Sequence, residues 1–293
     1  MDLLPFIFCE SVAAALRSPS GIIQEPLSSP VWQKAIKANT DNRLDVQLDI
    51  GFAAGKWTYG LRCWRASPVY FSFEQLQKMK RKYLRIKNIS IDRTSERNES
   101  SYQEIQRLVS FSVPYVSMAS ICVGVIIDFP EGTAHQLLAS YRQSSIFLLW
   151  TLGDVEPVRD ILKDFLQSDT LKKIELYSRH LQPEIEDFLV SKSFESIQSP
   201  YFSCKWTLFE RLFATAKSGF FELACDFPFR YLGDFRRELQ LFDPSIGVIQ
   251  WKRKDGVVVK VERKIDFCPT ISMEFSAAKS KNKARSAIYT AIL

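Results

Sequence analysis

The chain has 293 residues, of which 46% are hydrophobic, so it can bury a large core in one long domain or two closely packed ones. A balance of 39 Lys and Arg against 33 Asp and Glu gives a net charge of +6, which is too small to indicate nucleic-acid binding by itself. Six cysteines without a CxxC pair, and only two histidines, lack the spacing of a zinc site and favour reduced thiols.

The N-terminal stretch is apolar but differs from a secretory signal. Asp2 stands where a signal peptide is basic, and Pro5 interrupts the apolar run. The longest apolar run elsewhere, 119–127, is far shorter than the roughly 20 residues that span a bilayer. We therefore expect a protein of the cytoplasm or nucleus that does not enter a membrane.

Two short helices are predicted at the start of the chain, over 2–16 and 31–38, separated by a loop rich in serine and proline. Two interpretations of this segment stay open. It is a docking element for a partner protein, or it is a cap that closes the end of a repeat domain.

A β-hairpin is predicted next. Residues 44–50 alternate between apolar and polar side chains, as a half-buried strand does, and 56–64 form its partner after a turn at 51–55. The second strand carries three aromatic residues that form either a base-stacking platform or ordinary cross-strand packing, namely Trp57, Tyr59 and Trp64.

The most basic stretch of the chain follows, on a helix predicted over 73–82 and a strand over 83–91. Its cationic side chains either contact phosphates or an acidic partner, or lie on a solvated surface. They are Lys78, Lys80, Arg81, Lys82, Arg85 and Lys87.

After helices predicted over 102–113 and 133–141 and a strand within 116–127, one pattern recurs. Short apolar runs begin at Ile146, Leu171, Phe194 and Phe220, separated by 25, 23 and 26 residues, and a helix-like stretch precedes each of the last three. This spacing is typical of a solenoid. We therefore predict an α/β fold, a leucine-rich-repeat-like solenoid of helix–strand units with a mainly parallel sheet.

The C-terminal part is predicted to close this solenoid. A last helix is expected over 231–242, and Asp255-Gly256 between two β-rich runs indicates a hairpin, with a third strand over 270–275. The expected domains are a helical segment 1–40, a repeat domain 41–230, a helix and antiparallel β-hairpin cap 231–276, and a basic tail 277–293.

Searches of the sequence for catalytic motifs give no match. Neither GxGxxG nor GxxxxGK[ST] occurs, and GxSxG and HExxH are also missing. We therefore expect a protein that is not an enzyme, with no catalytic residue, no cofactor and no metal. An enzyme with an unrecognised site is the weakest alternative, and a deep pocket with convergent polar groups would favour it.

Two stretches together resemble a known family. The start Asp2-Leu3-Leu4-Pro5-Phe6-Ile7-Phe8 is similar to the opening of an F-box, and Trp251-Lys252-Arg253-Lys254-Asp255-Gly256-Val257 closes the repeats. With the strand at 55–60, the layout resembles a large nematode family of F-box-like proteins. The resemblance implies docking onto the adaptor subunit of a cullin-RING ubiquitin ligase, while the repeats hold a substrate. The docking residues that it implies are Leu4, Pro5, Phe8, Val12 and Trp32.

Our leading hypothesis is a protein–protein interaction module that acts as a substrate receptor for ubiquitin ligation by positioning alone. The alternative is a nucleic-acid-binding protein that uses the basic stretch 78–87 and the C-terminal tail. Salt dependence separates the two, since phosphate contacts weaken steeply as salt rises. Nucleic acid is the less expected partner.

Overall fold

We describe the protein from a computed structural model. It describes residues 5–15, 29–64, 68–93, 98–152, 155–177, 185–186, 188–189, 195–216, 218–225, 239–243, 248–265 and 269–277. The chain divides into two compact units, residues 1–185 and 186–293. Each unit contains both helix and open sheet, which confirms the predicted α/β class.

The first unit begins with a helical pair and continues with a mixed sheet. Its helices are α1 Phe6–Ala15, α2 Pro30–Asn42, α3 Phe73–Lys78, α4 Tyr102–Ser112, α5 Thr133–Ala139 and α6 Arg159–Leu166. Its strands are β1 Leu44–Ala53, β2 Lys56–Trp64, β3 Pro68–Phe71, β4 Leu84–Asp92, β5 Asn98–Ser100, β6 Val116–Val123, β7 Ile146–Thr151 and β8 Lys173–Leu176. Single 3-10 turns lie at Arg81–Tyr83, Val113–Tyr115 and Glu156–Val158.

The sheet of the first unit is antiparallel at one end and parallel through the rest. Its order is β3-β2-β1-β4-β6-β7-β8, and β5 pairs with β2 beyond the end of β3. Strands β1, β4, β6, β7 and β8 are all parallel. The predicted hairpin is confirmed, but its turn is only Ala54-Gly55, and both residues have the positive φ of a two-residue hairpin turn.

The prediction that β1 is half buried is wrong. Every residue from Val46 to Gly51 is buried, on both faces of the strand. On its polar side Gln47 and Asp49 are buried as well, where Gln47 donates a hydrogen bond to Asp49 and the Arg62 guanidinium of β2 lies 3.7 Å from the same carboxylate. Strict alternation therefore identified the strand but misjudged its exposure.

The predicted helix over 73–82 is shorter in the structure. α3 begins with a capping box, in which the Ser72 hydroxyl accepts from the Gln75 amide and the Gln75 side chain accepts from the Ser72 amide. It ends at Lys78, and a separate 3-10 turn leads into β4. Lys78 thus ends α3, Lys80 is extended, and Arg81 and Lys82 lie in the 3-10 turn, so these cations do not share one helical face.

The second unit has one described helix, α7 Trp206–Thr215, and six strands. These are β9 Ser196–Cys204, β10 Gly219–Cys225, β11 Leu239–Asp243, β12 Val248–Lys252, β13 Val257–Ile265 and β14 Pro269–Ala277. Their order is β11-β12-β13-β14-β10-β9; β9 and β10 are parallel and every other pair is antiparallel. The predicted hairpin at Asp255-Gly256 and the third strand are confirmed.

One C-terminal prediction is partly wrong. The helix expected over 231–242 is a strand at its end, since 239–243 form β11 and pair with β12. The rest of that stretch, 231–238, lies outside the described residues, as does the basic tail after 277. Of the repeat helix expected around 183–189, the described residues 185–186 and 188–189 are helical. The i, i+3 spacing of Leu239 and Phe242 fits a helix, but cross-strand pairing decides the conformation.

Candidate functional site

The helical pair α1–α2 presents the first candidate surface. α1 buries Cys9 and Ala13, and α2 buries Ala35 and Ile36. α1 and α2 pack against each other, with the Phe8 and Trp32 rings edge to face at 6.5 Å between centroids. Half of the Phe8 surface nevertheless remains exposed, at 50%.

Four of the five docking residues implied by the F-box resemblance lie in this pair. Pro5 is exposed, and Val12 and Trp32 are half buried, so together with Phe8 they form what we call the helical surface. Pro5, Phe8 and Val12 follow at three- and four-residue steps and share one side of α1. Leu4 lies outside the described residues.

A polar anchor joins α1 to the turn before β4. The Glu10 carboxylate accepts a 2.7 Å bond from the Tyr83 hydroxyl and a 3.1 Å bond from the Lys82 ammonium. These two donors, the Tyr83 hydroxyl first, hold the pKa of Glu10 below its usual range. The helical pair is therefore attached to the sheet by charge-assisted hydrogen bonds.

The six residues of the predicted basic patch fall into two groups. Lys78, Lys80, Arg81 and Lys82 are exposed. Arg85 and Lys87 are half buried on β4; Lys87 donates a 2.7 Å bond to the Ser117 carbonyl, and Arg85 bonds to the Leu84 carbonyl. Burial lowers the pKa of Arg85, and Arg43 nearby adds to that shift. Four of the six cations therefore lie at the surface, whereas Arg85 and Lys87 are half buried and bond to backbone carbonyls of the chain.

The aromatic residues of β2 form part of the core. Trp57 and Tyr59 are buried, and the Trp57 ring packs against Tyr102 at 5.0 Å and Phe129 at 5.4 Å. For Trp57 and Tyr59 the structure therefore shows packing within the core, and not the exposed rings of a base-stacking platform. The Trp64 side chain is outside the described part.

The two faces of the first sheet differ in chemistry. The apolar face carries buried Leu48, Ile89, Ile121, Leu149 and Ile174 in adjacent strands. Helices α3 and α4 contact this side, since the Phe73 amide donates to the Tyr59 hydroxyl and the Tyr102 ring packs on Trp57. The apolar face thus forms part of the hydrophobic core, and the chemistry of the opposite face needs another explanation.

The opposite side, which we call the polar face, carries two rows of side chains aligned by strand register. One row is Arg62, Gln47, Asn88, Ser120, Leu148 and Lys173; the other is Asp49, Ser90, Cys122, Trp150 and Glu175. Most of these residues are half buried, while Gln47 and Asp49 are buried. Gln47 donates a 2.8 Å bond to Asp49, and the Arg62 guanidinium lies 3.7 Å from the same carboxylate.

The sequence analysis did not identify the residues of the polar face, although an alternating pattern of polar and apolar residues marks it in the sequence. Asn88-Ile89-Ser90-Ile91, Ser120-Ile121-Cys122-Val123 and Lys173-Ile174-Glu175-Leu176 each alternate polar and apolar residues. Strands covered on both faces of a parallel sheet read as near-continuous apolar runs. The alternation therefore indicates one polar face, but it does not say which strands are neighbours.

Cavities give little support to a catalytic site. One of about 570 Å³ lies beside β3 and is lined by Gly60, Leu61, Tyr70, Phe71, Ser72, Gln75 and Asn98. Tyr70 is the one titratable residue among these described lining residues. Within the described ranges no group of three or more His, Cys, Asp or Glu residues is arranged to hold a metal ion, and no helix is long and apolar enough to cross a membrane.

Comparison with known proteins gives no relative. No protein-family model, no curated protein and no solved structure matches this chain. The function must therefore be argued from the surfaces described above.

Proposed function

We propose that the chain is a protein-binding module that docks through the helical surface and acts as an F-box-like substrate receptor of a cullin-RING ubiquitin ligase. The observation that carries the proposal is Phe8, which is half exposed although Trp32 lies close enough to pack against it. Covering the exposed half of a phenylalanine, on the order of 100 Å², contributes about 2.5 kcal/mol to association. Aromatic anchors of this kind dominate protein interfaces.

The position of the helical surface also supports docking. Phe8 lies about 100° around α1 from Cys9 and about 140° from Ala13, which are both buried completely, and Val12 lies between Phe8 and Cys9. A helix that only capped the sheet would bury Phe8 as fully as it buries Cys9 and Ala13. Glu10, on the same helix, is occupied by the anchor to Tyr83 and holds α1 in place.

The mechanism in this proposal is positioning without chemistry. The helical surface binds the adaptor subunit, and the sheet of the repeats holds a second protein near the ligase. Parallel pairing of β4, β6, β7 and β8 supports the helix–strand units, and their stacking as a leucine-rich-repeat-like solenoid stays a prediction from the repeat spacing.

The nucleic-acid alternative has less support. Lys82 is ion-paired with Glu10, and Lys87 bonds to a backbone carbonyl, so both have partners within the chain. The exposed remainder of the stretch 78–87 consists of Lys78, Lys80 and Arg81, and the C-terminal tail of this alternative lies outside the described residues. Three cations give only a shallow salt dependence of binding, since the slope follows the number of phosphates contacted.

The test is a pull-down with the full chain, probed for the adaptor subunit of a cullin-RING ligase. We compare the parent chain with Phe8→Ala and with Tyr70→Ala, a control that removes another exposed aromatic ring from β3. Capture should persist in the control and fall at least tenfold for Phe8→Ala. The melting temperature of each variant shows that it is folded.

Two outcomes contradict the proposal. In one, a folded parent chain captures no adaptor; in the other, Phe8→Ala captures as much as the parent. The first result would make the first 40 residues a structural cap and leave the protein an interaction scaffold without a ligase. The second would show that the adaptor binds elsewhere than the helical surface.

A further inference from the structure

One strand of the polar face, β7, carries apolar side chains on this otherwise polar side of the sheet. Its neighbours place serine, asparagine, cysteine and charged residues on this side, but β7 places Leu148 and Trp150 there. Both are half buried, and Leu152, immediately after β7, is 39% exposed. An apolar strip therefore runs along β7 across an otherwise polar surface.

An aromatic pair lies at the carboxyl end of this strip. The rings of Trp150 and Tyr177 meet edge to face, with centroids 6.3 Å apart, and both residues are half buried. Ile127, in the loop after β6, is 71% exposed. In open sheets of parallel strands, ligands bind beyond the carboxyl ends of the strands, which is the end where these residues lie.

Carboxylates stand on both sides of the aromatic pair. Glu175 on β8 pairs directly with Trp150 in the strand register. On the other side, the Asp92 carboxylate lies over Gly124, at the end of β6, and accepts from the Val125 amide. Burial raises the pKa of the Cys122 thiol between them to about 12; a hydrogen bond with Ser90 opposes this shift, and the charges of Asp92, Asp49 and Glu175 add to it.

Glu175 differs from the other two acids because it makes no hydrogen bond and no ion pair within the described residues. Asp49 bonds to Gln47, and Asp92 accepts from two backbone amides. Half burial without such a partner raises the pKa of Glu175, and Lys173 offsets only part of the effect. A cation beside this carboxylate would restore the stabilisation that burial removes.

We infer that the polar face binds an extended protein segment bearing an arginine or lysine, whose cation lies between the Glu175 carboxylate and the Trp150 and Tyr177 rings. The inference rests on the proposed function as a protein-binding module and adds the chemistry of the second partner. A guanidinium satisfies both parts of the site, since it bonds to carboxylates in a planar fork and stacks on aromatic faces. Apolar residues beside the cation would cover Leu152 and Ile127.

Charge complementarity selects this occupant. The acids cluster at the carboxyl end of the polar face although the whole chain carries a net charge of +6. A phosphate backbone would be repelled by Glu175 and Asp92 and would gain nothing from their burial. A basic segment of a protein gains from the carboxylates, the rings and the apolar strip together.

The experiment uses the full chain and a phage-displayed library of random 12-residue peptides, selected in parallel against the parent and against Glu175→Gln. The most enriched peptide is then synthesised with fluorescein, along with the same peptide carrying Gln for its basic residue. Affinities are measured by fluorescence polarisation for the parent, Glu175→Gln, Trp150→Leu and Glu210→Gln. The last is a matched control, because Glu210 is an exposed acid on α7 of the other unit.

The parent should enrich peptides with one arginine or lysine next to apolar residues. Glu175→Gln, Trp150→Leu and the Gln peptide should each weaken binding at least tenfold, and Glu210→Gln should leave it unchanged. Enrichment without a basic residue, no enrichment by a folded parent, or equal affinity for Glu175→Gln would each overturn the inference.

Adaptor capture measured on the same preparations separates this inference from the proposed function. Adaptor capture without selection of basic peptides refutes the inference alone. Selection of basic peptides by a chain that captures no adaptor refutes the ligase function and leaves the binding site in place.

Discussion

The hydroxyl of Tyr83 donates a 2.7 Å hydrogen bond to the Glu10 carboxylate, so a residue of the turn before β4 contacts a helix residue that lies 73 positions earlier in the chain. Tyr83 is itself buried. This bond fixes the orientation of α1 and, with it, the side on which Phe8 is exposed.

Removing that bond should loosen α1 in a pH-dependent way. Tyr83→Phe is expected to destabilise the first unit by on the order of 1 kcal/mol at pH 7, because the carboxylate loses a donor. The folded pKa of Glu10 is lowered, so its contribution is complete above the ordinary glutamate range and disappears as pH falls through the lowered value.

Denaturant unfolding of the parent and Tyr83→Phe between pH 7 and pH 3 measures this effect. The difference between the two should shrink below about pH 4, near the ordinary pKa of glutamate. Glu99→Gln serves as a control, since its ion pair with Lys56 is exposed and contributes little. A difference that is the same at both ends of the pH range would show that Glu10 is not the acceptor that matters.

A buried pair of hydroxyl groups joins α4 to the segment after α5, and removing one hydroxyl should destabilise the protein more than removing the other. The hydroxyls of Ser112 and Tyr141 are 2.6 Å apart, both residues are completely buried, and Ser112 also donates to the Val109 carbonyl. Ser112→Ala leaves the Tyr141 hydroxyl buried without this partner and should cost about 2 kcal/mol, whereas Tyr141→Phe should cost about 1 kcal/mol.

The double variant Ser112→Ala/Tyr141→Phe tests whether the two costs are coupled. Because both polar groups are removed together, it should be less destabilised than the sum of the single variants. Calorimetric unfolding of the four proteins gives the coupling. Strict additivity would mean that the two hydroxyls do not depend on each other.

Gly124 should be intolerant of a methyl group. A Cβ there would lie 2.3 Å from the carboxyl carbon of Asp92, which accepts from the amides of Arg93 and Val125. Gly124→Ala is expected to displace this carboxylate and cost about 2 kcal/mol through the two lost bonds. In an Asp92→Ala background the same change should cost much less, because the carboxylate that the methyl group would displace is gone. Urea unfolding measures the cost of Gly124→Ala in the parent and in Asp92→Ala. Equal costs in the two backgrounds would contradict the prediction.

Arg253 should be the most sensitive polar residue of the second unit. Its guanidinium donates 2.7 Å bonds to the carbonyls of Phe213 and Ala216 at the end of α7, and it pairs with Asp255. Arg253→Met keeps an unbranched apolar stem but removes these donors, and it should destabilise this unit by about 3 kcal/mol.

Hydrogen exchange of the α7 amides is the direct measurement for Arg253→Met. Protection should fall most at the C-terminal turn of α7, where the two carbonyls lie. Lys254→Met is the matched control, because Lys254 is an exposed neighbour in the same hairpin turn. Equal loss of protection in both variants would assign the effect to the turn rather than to the guanidinium.

Local patterns predicted most elements where the deciding interactions are close in sequence. Asp255-Gly256 indicated the C-terminal hairpin, and the repeated apolar runs indicated β7, β8, β9 and β10. Patterns failed where distant pairing decides. Leu239 and Phe242 follow a helical spacing, yet 239–243 pair with β12 as a strand.

The candidate sites divide in the same way. Phe8 and Trp32 were identified from the resemblance, but a linear motif could not show that Phe8 stays half exposed. Trp150 and Glu175 were not singled out, because they are 25 residues apart and only the register of β7 against β8 makes them neighbours.

The sequence by itself determined the α/β class, most strands and the polar alternation along β4, β6 and β8, because each depends on side-chain periodicity within a few residues. The tertiary structure decided which strands are adjacent, that β1 is buried on both faces, and that a half-buried glutamate lies beside a tryptophan. Those properties arise from strand order and register, which place residues far apart in the chain about 5 Å from each other and are not encoded in any short stretch of it.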